Sequence, residues 1–354
     1  MRNLTVTVAS IIAVAALLIP LSASGQTEPD PTPRTPWGQP DLGGVWEYKT
    51  RTPLERPDQF ADQEFLTEEE AAEIAERERA RIQAMEERPA QRTIAIPTAG
   101  DRPGRWLDSP DHPSLQGQTG SYNIFWFDWG TTAVSTRRTS LIVDPPDGRM
   151  PSLTEAGQER ARTMGARSSF SDTVGSAESH LDYSNSDRCL MSGNAGPPML
   201  PGVYNNNMQL FQTPDHVAIM NEMMHTVRVI PLDGRPAPAV GVRQFVGDSR
   251  GRWEGDTLVV ETVNFNDPER HNTWRNTSRS RTLVERFTRV DANTLIYRFT
   301  VTDPDTWEQP WSVELPMQRS ELPIFEFACH EGNYGLENML AGNRKAEADA
   351  AAGR

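Results

Sequence analysis

The sequence predicts a mainly β protein: an antiparallel barrel or strongly curved sheet with an N-terminal irregular and helical arm. Two observations carry this. From about residue 204 onward, short apolar or alternating runs follow one another: MQLFQT, VAIMNEM, HTVRVI, VRQFV, TLVVETVNF, RTLVERFTRV, TLIYRFTV, WSVEL and IFEFA. The turns between them carry TPD, PLDG, GD, DAN and DPD, which are hairpin signals. Strands joined this tightly must be antiparallel, because a parallel crossover needs a dozen or more residues. With 25 glycines and 28 prolines the chain is also too turn-rich for an all-helical fold.

The elements follow in chain order. Residues 1–25 read as a cleaved export signal: Arg2, an apolar stretch from Val6 to Leu21, then the small residues Ala23, Ser24 and Gly25. The stretch is short of the roughly 20 apolar residues of a membrane span, so no stable membrane anchor is expected. Residues 26–40 are a proline-rich linker, extended because proline resists helix and central strand. DLGGVWEYKT, 41–50, is the first strand. Thr67 to Arg88 is a helix, opened by the capping box of Thr67 and Glu70 and supported by Glu73 and Arg77 one turn apart. Its thin apolar stripe of Ala71, Ile74, Ala75, Ile82 and Met85 marks a surface helix. Residues 89–120 are irregular, RTSLIV (138–143) is a further strand, and Ser152 to Met164 is a shorter helix with Ser152 and Glu155 at its start. The expected organisation is one domain over 41–342, with a helical and irregular insertion at about 50–200, and a tail at 343–354.

Charge and cysteine content narrow the partners. The net charge of −14 leaves too little clustered Lys and Arg for nucleic acid, so none is expected as partner. Cys189 and Cys329 are the two cysteines; in an oxidising export compartment a lone pair most simply forms one disulfide. The expected location is therefore periplasmic or secreted. Composition leaves the oligomeric state open.

Six blocks support a comparison: PWGQPDLGGVWEY (36–48), TSLIVDPPDGRMP (139–151), GPPMLPGVYNNN (196–207), NEMMHTVRVIPLDGRP (221–236), GDSRGRWEGDTLVVETVNF (247–265) and ACHEGNYGLENML (328–340). Together they resemble a family of secreted bacterial proteins with no assigned reaction. Gly44-Val45-Trp46 also resembles the G-x-W motif that opens the first strand of lipocalins. That second resemblance implies a lipocalin-like or calycin-like barrel holding a small molecule, although 50–200 has no counterpart there.

The chemistry-bearing residues are polar groups on apolar strand faces. Leu283, Glu285 and Phe287 share one face of a strand, so Glu285 must be paired or its protonation is perturbed by burial. Asn221, Met223, His225 and Val227 share another, as do Leu258, Val260, Thr262 and Asn264. His330 follows Cys329 and would be held by the disulfide. These patterns nominate His225, Glu285 and His330 for proton transfer, and Asn221, Asn264, Arg281 and Trp274 for substrate binding. Arg281 and Trp274 belong to a locally basic stretch, 270–289, which could steer a small anion. The ordinary alternative for each is a satisfied core residue: Glu285 bridged to Arg298 or Arg286, His225 bonded to a backbone carbonyl.

Other chemistries lack their patterns. Gly247-Asp248-Ser249-Arg250-Gly251 matches G-x-S-x-G, but no helix follows it, so it reads as a hairpin loop rather than a nucleophile elbow. No H-E-x-x-H is present, leaving only a metal site assembled from distant residues such as His225, His330 and Asp248. No Walker A, dinucleotide or haem-attachment motif occurs, so no cofactor is expected. Two functions remain: a cofactor-free acid/base enzyme (lyase, isomerase or hydrolase) on a small organic molecule, or a non-catalytic periplasmic binder with a barrel pocket.

Overall fold

The structure, a computed structural model, describes residues 32–87, 127–128, 130–165, 177–183, 185–191, 194–266 and 277–353. The expected export signal, the linker up to residue 31, all of 89–120 and Trp274 lie outside the described residues. Three helices are described: α1 (Glu68–Glu86), α2 (Glu155–Gly165) and α3 (Tyr334–Ala351). The strands are β1 (Gly44–Glu47), β2 (Ile142–Asp144), β3 (Asn207–Gln212), β4 (His216–Asn221) and β5 (Val227–Pro231). They continue with β6 (Asp248–Glu254), β7 (Thr257–Val263), β8 (Thr282–Arg289), β9 (Thr294–Thr302) and β10 (Trp311–Ser320).

The strands form one ten-stranded antiparallel sheet in the order β5-β4-β3-β1-β10-β9-β8-β7-β6, with β2 added to β10. The first strand, β1, is inserted between β3 and β10, so it joins the two hairpin series into one sheet. The sheet is not closed into a barrel, because its edge strands β5 and β6 share no hydrogen-bond ladder. It is nevertheless curled. A Cβ at Gly251 of β6 would fall 2.9 Å from Ile230 Cγ2 of β5 and 2.6 Å from Leu232 Cδ2 just beyond it. Any larger residue there would force these two side chains to shift, so glycine suits the close approach of the two edges.

The concave face holds the core. Met208, Leu210, Val217, Ile219, Ile230, Leu258, Val260, Leu283, Phe287, Leu295 and Leu315 are buried there at alternating strand positions. A run of rings crosses it: Phe287–Tyr297 at 4.9 Å, Tyr297–Phe299 at 5.6 Å, Phe299–Trp311 at 5.8 Å and Trp311–Trp307 at 5.5 Å between centroids. Burying each such side chain stabilises the fold by about 1.5–3 kcal/mol.

Local expectations fare unevenly. The Thr67–Glu70 capping box is present in full, and α1 buries little beyond Ala75 and Glu78. In α2 the cap is Thr154, whose hydroxyl accepts from Gly157 N at 3.0 Å, and not Ser152. The GDSRGRWE segment, read as a loop, is strand β6, paired with β7. VRQFV (242–246) is not a strand; Gln244 makes an isolated parallel bridge to Phe265. IFEFA (324–328) is not a strand either. The stretch expected as a tail from 343 belongs largely to α3, where buried Asn343 donates to the Tyr183 hydroxyl at 2.6 Å.

Candidate functional site

The strand registers bring the end of β4, the starts of β3, β5, β6, β8 and β10, and the ends of β7 and β9 to one end of the sheet. Toward that end the inward face turns polar. Asn221, Arg228, Ser249, Thr262, Asn264, Arg281 and Glu285 are all buried. Alternation explains how a strand can carry them inward: each stands two residues from an apolar core position or extends that row.

The link from β4 to β5 is the tightest part of this rim. Asn221 N donates to Thr226 O at 2.9 Å, and Glu222 N to Asn207 O at 3.0 Å. Met223–His225 make a single helical turn, with Met224 at φ 60° and His225 at φ 39°. Asn205, on the facing segment, has φ 55°. Positive φ at Met and His is strained backbone, which clusters at functional sites. The buried Glu222 carboxylate accepts from Asn205 Nδ2 at 2.5 Å and Asn207 Nδ2 at 3.0 Å. Burial first, and the Glu222 charge second, push the Tyr48 phenol upward. Tyr48 donates to Asn194 O at 3.0 Å. Fully buried Asn221 has neither amide atom hydrogen-bonded among the described residues, and the same holds for His225 Nε2. Because the turn breaks the strand, Asn221 and His225 do not share a strand face as the alternation predicts.

Glu285 is placed differently. It is 0% exposed, and Arg228 of β5 grips it from across the curl, Nη1 to Oε2 at 2.5 Å and Nη2 to Oε1 at 2.9 Å. Tyr297 donates its hydroxyl to Oε1 at 2.7 Å, and Met199 N donates to that hydroxyl at 3.2 Å. The expected partners are engaged elsewhere: Arg298 with Glu314, and Arg286 with Glu254. Burial lowers Arg228's proton affinity, but the Glu285 charge outweighs it and the net shift is upward. Burial, then Glu285, holds the Tyr297 phenol well above its ordinary range. A carboxylate filled by a guanidinium fork and a phenol locks two regions of the sheet together. Its hydrogen-bond partners are Arg228 and Tyr297, and His225 is not one of them among the described residues.

Asn264 and Arg281 lie near each other at the same end. Asn264, at φ 55°, donates to Pro238 O at 3.1 Å. Arg281 stacks on the Phe265 ring, its guanidinium carbon 3.7 Å from the centroid, and Nη1 donates to Thr277 Oγ1 at 2.8 Å. Burial lowers its pKa to about 10, with Asp303 opposing through space. His330 is exposed, beside the Cys189–Cys329 disulfide, and makes no hydrogen bond through its ring among the described residues. The three residues nominated for proton transfer therefore do not form one group: Glu285 is sealed inside, His225 stands on the rim and His330 is exposed.

Glu222, Asn205, Asn207 and Arg228 were not nominated by the sequence reasoning. Arg228 carried a usable signal, since it alternates with apolar Ile230 just as Glu285 alternates with Leu283. Ser249 of the G-x-S-x-G match sits inside β6, sharing a 2.9 Å hydrogen bond with Thr262 Oγ1. A surface cleft of about 250 Å³ between β6, β7 and Arg235–Ala237 has its charges already paired: Arg235 with Asp233, Arg250 with Asp248, Glu261 with Arg252. Among the described residues no three His, Cys, Asp or Glu side chains are grouped to hold a metal ion, and no helix is long and apolar enough to cross a membrane. No family model, curated protein or solved structure matches the chain.

Proposed function

We propose that the chain is an exported, non-catalytic binder of a small polar molecule. The molecule is taken at the Asn221–His225 end of a curled, lipocalin-like sheet. One observation carries the reading: among the described residues, six buried polar atoms at this end have no hydrogen-bond partner, namely both amide atoms of Asn221, His225 Nε2, Arg228 Nε, Asn266 Oδ1 and Arg281 Nε. Each such atom costs about 1–3 kcal/mol when left unpaired, so a ligand that supplies the partners gains that energy back. The strained Met224–His225 turn beside them fits a site held ready for contacts. The disulfide fits an oxidising compartment. The acid/base reading is weaker, because Glu285 is saturated by Arg228 and Tyr297.

The test is an untargeted one. Mature protein is incubated with a metabolite extract, recovered by gel filtration, and its bound and consumed molecules are read by mass spectrometry. Stoichiometric retention without consumption, lost in Asn221→Ala and His225→Ala, is the expected result. Catalytic consumption of a molecule that stops in His225→Ala overturns it and restores the enzyme.

A further inference from the structure

We infer that Arg281 is the anchor for a carboxylate group, so that the ligand is a small organic acid. The inference rests on the binding end proposed above and names the ligand class. Its basis is the unused edge of the guanidinium. Arg281 is 3% exposed, and its Nη1 is committed to Thr277 Oγ1. Neither Nε nor Nη2 has a hydrogen-bond partner among the described residues. The Nε–H and one Nη2–H are parallel donors on one edge, and that spacing matches the two oxygens of one carboxylate. The Phe265 ring covers a face of the guanidinium and leaves this edge in plane.

Among the described residues the neighbourhood does not supply the missing acceptor. Asp303 is the closest countercharge, but its oxygens are occupied: Oδ2 by Ser278 N at 2.5 Å and Thr306 Oγ1 at 2.8 Å, Oδ1 by Ser278 Oγ at 2.6 Å. A second cation stands close by. Arg243 donates Nη1 to the Phe265 carbonyl at 2.8 Å and to Arg279 O at 3.3 Å, with no carboxylate partner among the described residues. Asp305 is a second carboxylate in this neighbourhood, and it is engaged too, accepting from Ser280 Oγ at 2.5 Å and Ser278 Oγ at 3.4 Å. Arg281 Nε is shut off from solvent, so the rim must part before the anion seats, and association is slower than diffusion allows.

The experiment follows the Arg281 Hε–Nε NMR signal of the intact protein, assigned by its loss in Arg281→Met. Sodium benzoate, neutral benzamide and sodium phosphate are titrated in turn. Benzoate should shift the signal saturably and benzamide should not. Arg281→Lys should bind benzoate at least tenfold more weakly, about 1.4 kcal/mol, because an ammonium has no fork. An unmoved signal, equal binding by Arg281→Lys, or phosphate binding as well as benzoate each overturns the carboxylate anchor. If Arg281→Lys does not fold, the wild-type titrations alone decide. Retention of extract molecules at Asn221 without a benzoate response sinks this inference and spares the binding function. Benzoate binding with nothing retained does the reverse.

Discussion

Two arginines bracket β8, and they meet opposite fates. Arg281 precedes the strand and Arg289 ends it; both are buried, at 3% and 5% exposure. Both lie over an aromatic ring, Arg281 on Phe265 and Arg289 over Trp46 at 5.3 Å. Arg289 uses every nitrogen: Nε donates to Asp291 O at 3.0 Å, Nη2 to Ala292 O at 2.6 Å, and Nη1 to Asp41 O. Arg281 uses one. Both guanidiniums are thus buried over a ring at opposite ends of the curled sheet, Arg281 the closer to its ring, and they differ most in how many of their nitrogens are bonded. A satisfied buried cation closes the Trp46 end as structure. At the other end Arg281 leaves Nε without a partner among the described residues, and that is the edge assigned above to a carboxylate.

The satisfied networks should be the ones that break the fold. The largest effect is expected inside the sheet: Arg228→Met strands the Glu285 carboxylate and should cost about 3–5 kcal/mol in urea melts. Arg228→Met with Glu285→Leu should recover most of it, since both charges then go. The arginine pair comes next. Arg289→Met leaves three carbonyls without their donor and should cost about 2–4 kcal/mol. Arg281→Met removes a buried, under-partnered charge and should leave stability unchanged or higher. Equal losses at the two ends would erase the comparison.

pH sharpens the same contrast. The Arg281 pKa is lowered by burial to about 10, from an ordinary 12.5. Between those values the native state has released the proton and the unfolded state still binds it. Stability from this group therefore rises with pH across the window, by about 1.4 kcal/mol per unit. The raised phenols of Tyr48 and Tyr297 act the other way, losing stability above pH 10. They are present in wild type and in Arg281→Met alike, so they cancel in the difference. The wild-type minus Arg281→Met stability should climb from pH 10 upward in paired melts; a flat difference would mean that Arg281 carries no burial cost.

How much of this could be read from the chain depends on range. Alternation placed Glu285 and Asn264 on the inward face, and T-x-x-E marked the start of α1. Those are local signals. The Glu285 partner was not legible, because Arg228 is 57 positions away and meets it only through the curl of the sheet. Strand β6 was hidden for a related reason. Its inward residues are Ser249, Gly251 and Trp253, and the glycine is demanded by Ile230 and Leu232 on the opposite edge. Charge pattern drew attention to Arg281 as part of a basic stretch; its burial and idle edge are tertiary facts. The β4–β5 turn left no trace at all, since Met224 carries a positive φ that sequence assigns to glycine or asparagine.

That turn gives the smallest effect and the finest test of the contrast. At φ 60° and ψ 12°, Met224 sits in the left-handed region, where a side chain other than glycine or asparagine costs about 1 kcal/mol. Met224→Gly relieves the strain but frees the unfolded chain, so the net gain should be about 0.5 kcal/mol or less. The site should respond in the opposite sense. A looser turn holds Asn221 and His225 less firmly, and retention of the bound molecule should weaken while the melting temperature holds or rises. In a purely structural turn, stability and retention would move together. Separation of the two marks strain kept at this end for binding rather than for the fold.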